Sequence, residues 1–270
     1  MERQIQWYPG HMAKAKRQLG ELLKYLDVIL EIRDARIPLA SHNSDLDELL
    51  ERRPKIIILN KVDLAEQNLT KAWQEWFRKQ KILSLTVNGQ NGQGVNQIWQ
   101  LLEKELPPIK INRPRRLGVV GIPNVGKSSI LNRLLGTGAA KTGNMPGVTR
   151  GKQWIRRGNF EVLDLPGLLP PKIQSDEDGL KLALLGAIRE ELIPTYDLVL
   201  LLLERYGARL FGWEQLKVTI TSPEDGLEWY ARKRGFLSKG GEWDQHRATL
   251  ALLKEFRDGR LGRISLESPH

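Results

Sequence analysis

The stretch GIPNVGKS, residues 121–128, decides the fold, because it matches the phosphate-binding pattern G-x-x-x-x-G-K-[ST]. The apolar run LGVVG (117–121) before it predicts a strand, and SSILNRLLG (128–136) after it predicts a helix. Glycines at both ends of the loop let backbone N–H groups face phosphate oxygens beside a helix N-terminus. The pattern therefore predicts a nucleotide phosphate site on an α/β fold.

Each polar side chain of this loop has an expected partner. We expect the Lys127 ammonium to contact the β- and γ-phosphates and to act in catalysis, and the Ser128 hydroxyl to bind Mg²⁺. Further nucleotide contacts are expected from the rest of the loop and the first helical turn, namely from Pro123, Asn124, Val125, Gly126 and Ser129.

A second motif, DLPG (164–167), begins where a predicted strand ends, at Asp164. A carboxylate at a strand end near a phosphate loop suits Mg²⁺, either directly or through water. We expect the Gly167 N–H to contact the γ-phosphate. A D-x-P-G string alone is often only a turn, so this interpretation depends on the phosphate loop upstream.

The motif NKVD (60–63) indicates which base the site binds, and it follows the aliphatic run KIIILN. The Asp63 carboxylate can accept hydrogen bonds from the N1–H and 2-amino groups of guanine, whereas adenine would leave it unpaired. Lys61 can lay its aliphatic stem over the base, and Asn60 can tie this loop to the phosphate loop. The predicted nucleotide is GTP or GDP.

Predicted strands and helices alternate as far as about residue 178. Aliphatic runs without alternation, such as VILEIRDA (28–35), predict a mostly parallel sheet with helices on both faces. QWIRRGNFEVLD (153–164) predicts a hairpin that turns at Gly158 and Asn159. Beyond residue 178 only helices are expected, roughly at 179–193, 196–207, 223–234 and 244–257. We therefore predict an α/β domain at 1–178 and a smaller, all-helical domain at 179–270.

Basic charge is concentrated in the first of these domains. The net charge is +10; residues 1–179 carry 28 Lys and Arg against 19 Asp and Glu, and residues 180–270 carry 14 against 13. A basic amphipathic helix is expected at 12–26, and a proline- and arginine-rich linker at 106–116. The charge indicates either a solvated basic surface or a polyanionic partner that contacts mostly the first domain.

The composition excludes several other classes of protein. The 270 residues include no cysteine, which rules out disulfides and thiolate metal sites. The longest aliphatic run, LVLLLL (198–203), is too short to span a bilayer. The basic N-terminus contains Glu2 and lacks serine, so we expect mature protein there rather than a transit peptide. We expect a monomer with no membrane partner.

The order of the motifs leads to a family. NKVD precedes GIPNVGKS, whereas translation-factor-type, Ras-like GTPases have the reverse order. This is the order of circularly permuted GTPases, and among them the chain resembles the bacterial ribosome biogenesis GTPase A (YlqF/RbgA) family. The resemblance runs nearly end to end through WYPGHMAKAKR (7–17), DARIP (34–38), NKVD, NGQNGQGVNQI (88–98), GIPNVGKSS, AKTGNMPGVT (140–149), DLPG, FLSKGGEWD (236–244) and LGRISLE (261–267).

This resemblance implies both a fold and a function. The fold is a circularly permuted Ras-like P-loop GTPase domain followed by a smaller all-helical domain. The function is that of a cytoplasmic GTPase that acts late in assembly of the large (50S) ribosomal subunit and contacts its rRNA. By the same resemblance, Thr149 would reach Mg²⁺ and act in catalysis when GTP is bound, with Thr142 as the second choice. Asn124 would hold a potassium ion beside the phosphates, or would only shape the loop.

Leu168 follows DLPG where Ras-like enzymes have the glutamine that orients the attacking water. Leucine has no hydrogen-bonding group, so hydrolysis is feeble, or a partner supplies the catalytic group, or another residue of the chain does. Histidine can hydrogen-bond a water near neutral pH, and the resemblance implies a catalytic role for His11 in the PGHM motif. The alternative is that His11 caps the following helix or contacts RNA.

Two points stay open in the sequence. The strand after NKVD ends in TVN, where many GTPases have SAK; we still expect main-chain amides of Val87 and Asn88 to back the base. The function could also be that of a GTP-gated RNA-binding module, or of a partner of an RNA-modifying enzyme, with incidental hydrolysis.

Overall fold

The computed structural model describes most of the chain, with the backbone alone at 140–144 and 153. The described residues are 20–44, 47, 53–107, 113–136, 140–144, 153–165, 173, 175–188, 193–213, 215 and 217–269. The chain divides into two compact units, one formed by Met1–Ile173 with Ser265–His270 and the other by Gln174–Ile264.

The first unit contains a seven-stranded sheet in the order β3-β2-β1-β4-β7-β6-β5. Its strands are β1 (Val28–Asp34), β2 (Lys55–Asn60), β3 (Ser84–Thr86), β4 (Arg115–Gly121), β5 (Ala140–Asn144), β6 (Gln153–Arg157) and β7 (Phe160–Asp164). The neighbouring strands β3, β2, β1, β4 and β7 are parallel to one another. Strands β6 and β5 extend the sheet beyond β7 with antiparallel pairing. The predicted hairpin is confirmed as β6 and β7. Strand β5 was not predicted.

Besides the helical residues 20–23, the described part of this unit forms the helices α1 (Gln67–Lys79), α2 (Val95–Glu105) and α3 (Lys127–Leu135). Helix α1 buries Trp73 and Phe77 against Ile57 and Leu59 of β2. A second apolar cluster joins the segment around Leu22 to the sheet; its members are Leu22, Leu23, Leu26, Ile29, Val120, Trp154, Leu163 and Leu165. The aliphatic strands are buried because helices and this segment cover the sheet.

Only part of the expected N-terminal helix and linker falls within the described residues. Residues 20–23 are helical and a turn follows, so most of the predicted helix 12–26 lies outside the described part. Strand β4 begins at Arg115, inside the predicted linker 106–116, because Arg115 and Arg116 pair with Phe160 and Glu161 of β7. The sequence also predicts a helix at 44–53, and most of this segment lies outside the described residues.

Strand β1 carries a buried carboxylate that anchors the following segment. Glu31 Oε2 accepts from Arg33 Nη2 at 2.7 Å. Glu31 Oε1 accepts from the Asn43 N–H at 3.2 Å and lies 2.7 Å from His42 Nδ1. Burial raises the pKa of Glu31, but the neighbouring Arg33 and His42 outweigh burial and hold that pKa well below its usual value. These bonds fix His42 and Asn43 against Glu31 of β1.

The second unit is helical in its described residues. It contains α4 (Asp176–Leu184), α5 (Thr195–Phe211), α6 (Pro223–Arg234) and α7 (Gln245–Arg257). Helix α4 begins earlier than predicted because the Ser175 hydroxyl caps it by accepting from the Asp178 N–H. Among the described helices, none combines the length and apolar character needed to cross a bilayer.

The sheet brings the sequence motifs together. NKVD begins at the end of β2, GIPNVGKS at the end of β4, and DLPG at the end of β7. Strands β2, β1, β4 and β7 are parallel neighbours, so their carboxyl ends share one edge. Ligands of open α/β sheets bind outside the carboxyl ends of the strands, at the position in the sheet where the strand order reverses.

Candidate nucleotide site

The loop between β4 and α3 has the backbone shape of a phosphate cradle. Gly126 has a φ of 95°, and Asn124 has a φ of 57°. A Cβ on Gly126 would lie 2.3 Å from Asn60 Nδ2, so a side chain is excluded there by both conformation and space. Val125 is buried, Pro123 is partly exposed, and Ser128 and Ser129 are exposed on the first turn of α3. The Ser128 hydroxyl and the N-terminal amides of α3 are therefore accessible to an anion.

Lys127 lies at the start of α3 and turns back over its own loop. Its Nζ donates to the carbonyl oxygens of Gly121 and Ile122, each at 3.1 Å. Burial lowers the pKa of the Lys127 ammonium, and the Asp164 carboxylate opposes that shift. Asp164 is the exposed last residue of β7, and it pairs with Val119 of β4 in the sheet register. The two predicted phosphate-end charges thus act on each other electrostatically.

The Asn60 carboxamide ties the base loop to the phosphate loop. Its Nδ2 donates to the Val125 carbonyl at 2.8 Å, and its Oδ1 accepts from the Gly89 N–H at 2.8 Å. Asn60 is buried, so these bonds are shielded from water. One side chain therefore fixes the distance between three segments that are remote in sequence.

Lys61 makes a second link between the same two loops. Its φ is 62°, a left-handed backbone conformation, and its Nζ donates to the Asn124 carbonyl at 2.7 Å. The same Nζ lies 3.1 Å from Asp34 Oδ2. Two partners therefore hold the Nζ end of the Lys61 side chain, which restricts the aliphatic stem expected to flank the base.

The partner of Lys61, Asp34, belongs to a buried ion cluster that sequence reasoning missed. Asp34 accepts from Arg36 through the backbone N–H and Nε, both at 3.0 Å, and through Nη2 at 2.9 Å. Burial raises the pKa of Asp34, but the Arg36 guanidinium and the Lys61 ammonium outweigh it and hold the pKa well below its usual value. Both Asp34 and Arg36 lie in the DARIP motif (34–38), which indicates the family resemblance but not this ion pair.

The segment after β3 is already hydrogen-bonded within the protein. The Val87 N–H donates to the Leu59 carbonyl at 2.8 Å, and the Asn88 N–H donates to the Gln93 backbone carbonyl at 2.9 Å. The Asn88 Oδ1 accepts from the N–H groups of Gln90 and Asn91. A contact between a base and the amides of Val87 or Asn88 would require one of these bonds to exchange, so that contact stays a prediction.

Three predicted functional residues, His11, Thr149 and Gly167, lie outside the described residues, as does Leu168. The second choice for the switch threonine, Thr142, lies in β5, where its backbone pairs with Trp154 of β6. Asp63 is partly exposed in the turn after β2. The structure thus joins Asn60 and Lys61 directly to the phosphate loop.

Known proteins are similar to this chain over nearly its whole length. A family model described as "50S ribosome-binding GTPase" matches residues 116–225. "Ribosome biogenesis GTPase A" from Bacillus licheniformis is 41% identical over 281 residues, covering 98% of each chain. The chain belongs to the ribosome biogenesis GTPase A family. The member of this family from Thermotoga maritima is 38% identical and covers 98% of this chain and 95% of its own.

Solved structures of the family agree with the fold. A structure described as GDP-bound YlqF is 35% identical, with a TM-score of 0.74 over 94% of this chain and 99% of its own. GNP-bound YlqF from T. maritima is 34% identical, with a TM-score of 0.73. The chain is therefore a circularly permuted P-loop GTPase, which converts GTP to GDP and phosphate, and GTP and GDP are its nucleotides.

Members of such a GTPase family typically bind Mg²⁺ with the nucleotide, and the available donors fit this ion. Among the described residues, no group of three or more His, Asp and Glu side chains gathers to hold a metal. Mg²⁺ is usually held by one or two protein oxygens together with substrate phosphates and waters. The exposed Ser128 hydroxyl and Asp164 carboxylate are hard oxygen donors of this kind.

The Asn60 link predicts how nucleotide affinity depends on the loop connection. Asn60→Ala removes two buried hydrogen bonds, so the Kd for GDP should rise about 10- to 100-fold. A fluorescent GDP titration measures this. Asn91→Ala is the matched control, because the Asn91 Oδ1 bonds only within its own turn, to the Gln93 N–H. A Kd for Asn60→Ala within about twofold of the parent would contradict the role assigned to this link.

Proposed function

We propose that this GTPase acts late in assembly of the large (50S) ribosomal subunit, binds rRNA, and hydrolyses GTP on the subunit. The observation that carries the proposal is 41% identity, over 98% of both chains, to a protein named ribosome biogenesis GTPase A. A mouse relative named mitochondrial ribosome-associated GTPase 1 is 35% identical over 97% of this chain. The large subunit matures in the bacterial cytoplasm, so we assign the protein to that compartment.

Guanine recognition is assigned to the loop that follows β2. The Asp63 carboxylate accepts from the N1–H and 2-amino groups of the base, and the Lys61 stem covers one face of the ring. The contacts of Lys61 Nζ with Asp34 and with the Asn124 carbonyl support this assignment, because they restrict the position of the stem. Asn60 sets the spacing between the base and the phosphates, and Val87 and Asn88 complete the base pocket.

This assignment predicts a change of base preference. Asp63→Asn replaces one acceptor by an amide donor, which pairs with the 2-carbonyl of xanthine and leaves the guanine 2-amino group unpaired. The Kd for GDP should rise about 100-fold or more, and XDP should become the tighter ligand. Competition titrations measure both constants. Asp197→Asn makes the same chemical change on α5 and should alter neither. Unchanged GDP and XDP constants in Asp63→Asn would refute the assignment.

The phosphate end is assigned to the loop before α3 and its neighbours. Lys127 would release the two loop carbonyls and donate to the β- and γ-phosphates, and the α3 amides would bind phosphate oxygens. Ser128, Thr149 and Asp164 would hold Mg²⁺, which would neutralise phosphate charge. The remaining contacts come from Pro123, Asn124, Val125, Gly126, Ser129 and Gly167.

Water activation is assigned to His11, because Leu168 has no group that could orient a water. Subunit binding would hold the PGHM segment so that His11 reaches the attacking water. A potassium ion held by Asn124 would add positive charge near the β/γ bridge, as an arginine finger does in other GTPases. The left-handed backbone of Asn124, at φ 57°, supports a specialised role for this position.

RNA binding is assigned mostly to the basic first unit, with a smaller contribution from cations of the helical unit. In the helical unit, Lys233 Nζ lies 4.7 Å from the Trp229 ring centre, and the Arg247 guanidinium lies 4.6 Å from that of Phe236. Arg232 and Arg234 pair with Glu228 and Glu255, so part of their charge is neutralised within the protein. Cations stacked on aromatic rings suit a nucleic-acid backbone with exposed bases.

The decisive experiment measures GTP turnover with and without purified large subunits. Turnover should rise steeply when subunits are added in potassium, and less in sodium. His11→Ala should lower the stimulated rate about 100-fold, because general acid–base groups contribute at least this much, while GDP affinity stays near normal. His246→Ala, on the exposed side of α7, is the control. The absence of stimulation by large subunits would overturn the proposed function, and a stimulated His11→Ala rate within about twofold would overturn the role of His11.

A further inference from the structure

The end of the chain returns to the GTPase unit as a short buried segment. Ile264 is the last residue of the helical unit, and the residues from Ser265 onward belong to the GTPase unit. We call Ser265–Glu267 the C-terminal strap. Ser265 and Leu266 are buried, with exposed fractions of 1% and 7%. These residues belong to the LGRISLE motif, which the proposed function leaves without a role.

One set of strap contacts fixes the segment after β1. The Glu267 carboxylate accepts from the Leu39 N–H at 2.7 Å and from the Ala40 N–H at 3.0 Å. The Leu266 N–H donates to the Arg36 carbonyl at 2.9 Å. Hydrogen bonds between backbone amides and a carboxylate are charge-assisted and strong. The strap thus holds the backbone of Arg36, whose side chain pairs with Asp34.

A second set of contacts fixes the far end of the guanine loop. The Ser265 N–H donates to Glu66 Oε2 at 3.1 Å, and the Glu66 N–H donates back to Ser265 Oγ at 3.1 Å. The Trp73 indole N–H donates to the Glu267 carbonyl at 3.3 Å. Glu66 is the residue before α1 and follows Asp63 by three positions. The strap therefore sets where the loop enters α1.

We propose that the C-terminal strap is a positioning element for guanine recognition. The inference rests on the proposed function, which gives Asp63 the role of guanine acceptor. Asn60 anchors the start of the NKVD loop to the phosphate loop, and the Ser265–Glu66 pair anchors its end. The strap also supports Lys61 through the series of contacts from Leu266 to Arg36, Asp34 and the Lys61 ammonium. Asp63 lies between these anchors.

Holding both ends of the loop matters more for guanine than for a base with fewer contacts. A loop already in its bound conformation loses less conformational freedom on binding, which favours affinity. Guanine engages the Asp63 carboxylate through two groups, and both oxygens must be placed correctly. Hypoxanthine lacks the 2-amino group and engages the carboxylate only through N1–H. Loosening the loop should therefore weaken GDP more than IDP.

The test compares GDP and IDP binding in variants of the strap. Glu267→Ala removes both amide acceptors, so the Kd for GDP should rise about tenfold and the Kd for IDP about threefold or less. Glu267→Gln keeps one acceptor oxygen and should restore part of the GDP preference. Glu75→Ala is the control, because Glu75 pairs with Arg78 on the exposed face of α1. Circular dichroism at the titration temperature establishes that each variant is folded.

The outcomes separate the strap from the proposed function. A parent protein that binds GDP and IDP equally would refute the guanine role of Asp63, on which the inference rests. A parent that prefers GDP, together with a Glu267→Ala variant that keeps the same ratio of the two constants, would overturn the strap inference alone. An equal rise of both constants also overturns it, because general destabilisation does not distinguish the two bases. A ratio that falls in Glu267→Ala and partly recovers in Glu267→Gln supports it.

Discussion

The Asn60 carboxamide is the interaction on which the nucleotide site depends. It joins the end of β2 to Val125, 65 positions along the chain, and to Gly89, 29 positions along the chain. Parallel strands bring these segments to one edge of the sheet, but the sheet alone does not set the spacing between their loops. A buried amide that is satisfied on both sides sets that spacing, because either broken bond would leave a polar group unpaired.

The same constraint explains why the permuted order is compatible with a GTPase site. The base loop precedes the phosphate loop in sequence, yet the strands that carry them lie on either side of β1. The site needs adjacent carboxyl ends and a fixed distance between two loops, and neither depends on the direction in which the chain visits them. Lys61 adds a second bridge, from the buried Asp34 to the Asn124 carbonyl. Buried charges of this kind are tolerated when each is paired and hydrogen-bonded.

Local sequence patterns predicted most of the fold and one of the two links between the base loop and the phosphate loop, the one made by Asn60. Aliphatic runs predicted β1, β2 and β4, and the Gly158-Asn159 turn predicted the hairpin, because burial and turn chemistry are local signals. The Asn60 tie to the phosphate loop was expected from its motif. The early start of α4 was missed, although Ser175 followed by three acidic residues is a recognisable helix cap.

Other features could not be predicted because they depend on contacts between distant residues. Glu267 and Leu39 are 228 positions apart, and no period or spacing in the sequence connects them. The sequence does not indicate that the N–H groups of Val87 and Asn88 donate to the carbonyls of Leu59 and Gln93, and their expected contact with the base stays a prediction. Which amides of a turn are already bonded is decided by the folded backbone, since every residue of the turn offers the same donor.

A structure of the full chain with GDP and Mg²⁺ would show whether Asn60 and Asp63 have the roles assigned to them. We predict that the guanine lies beside Asp63 with both carboxylate oxygens within hydrogen-bond reach, while the Asn60 bonds to Val125 and Gly89 persist and Lys127 contacts the β-phosphate. A base that lies away from Asp63, or a complex in which the Asn60 bonds are broken, would contradict it.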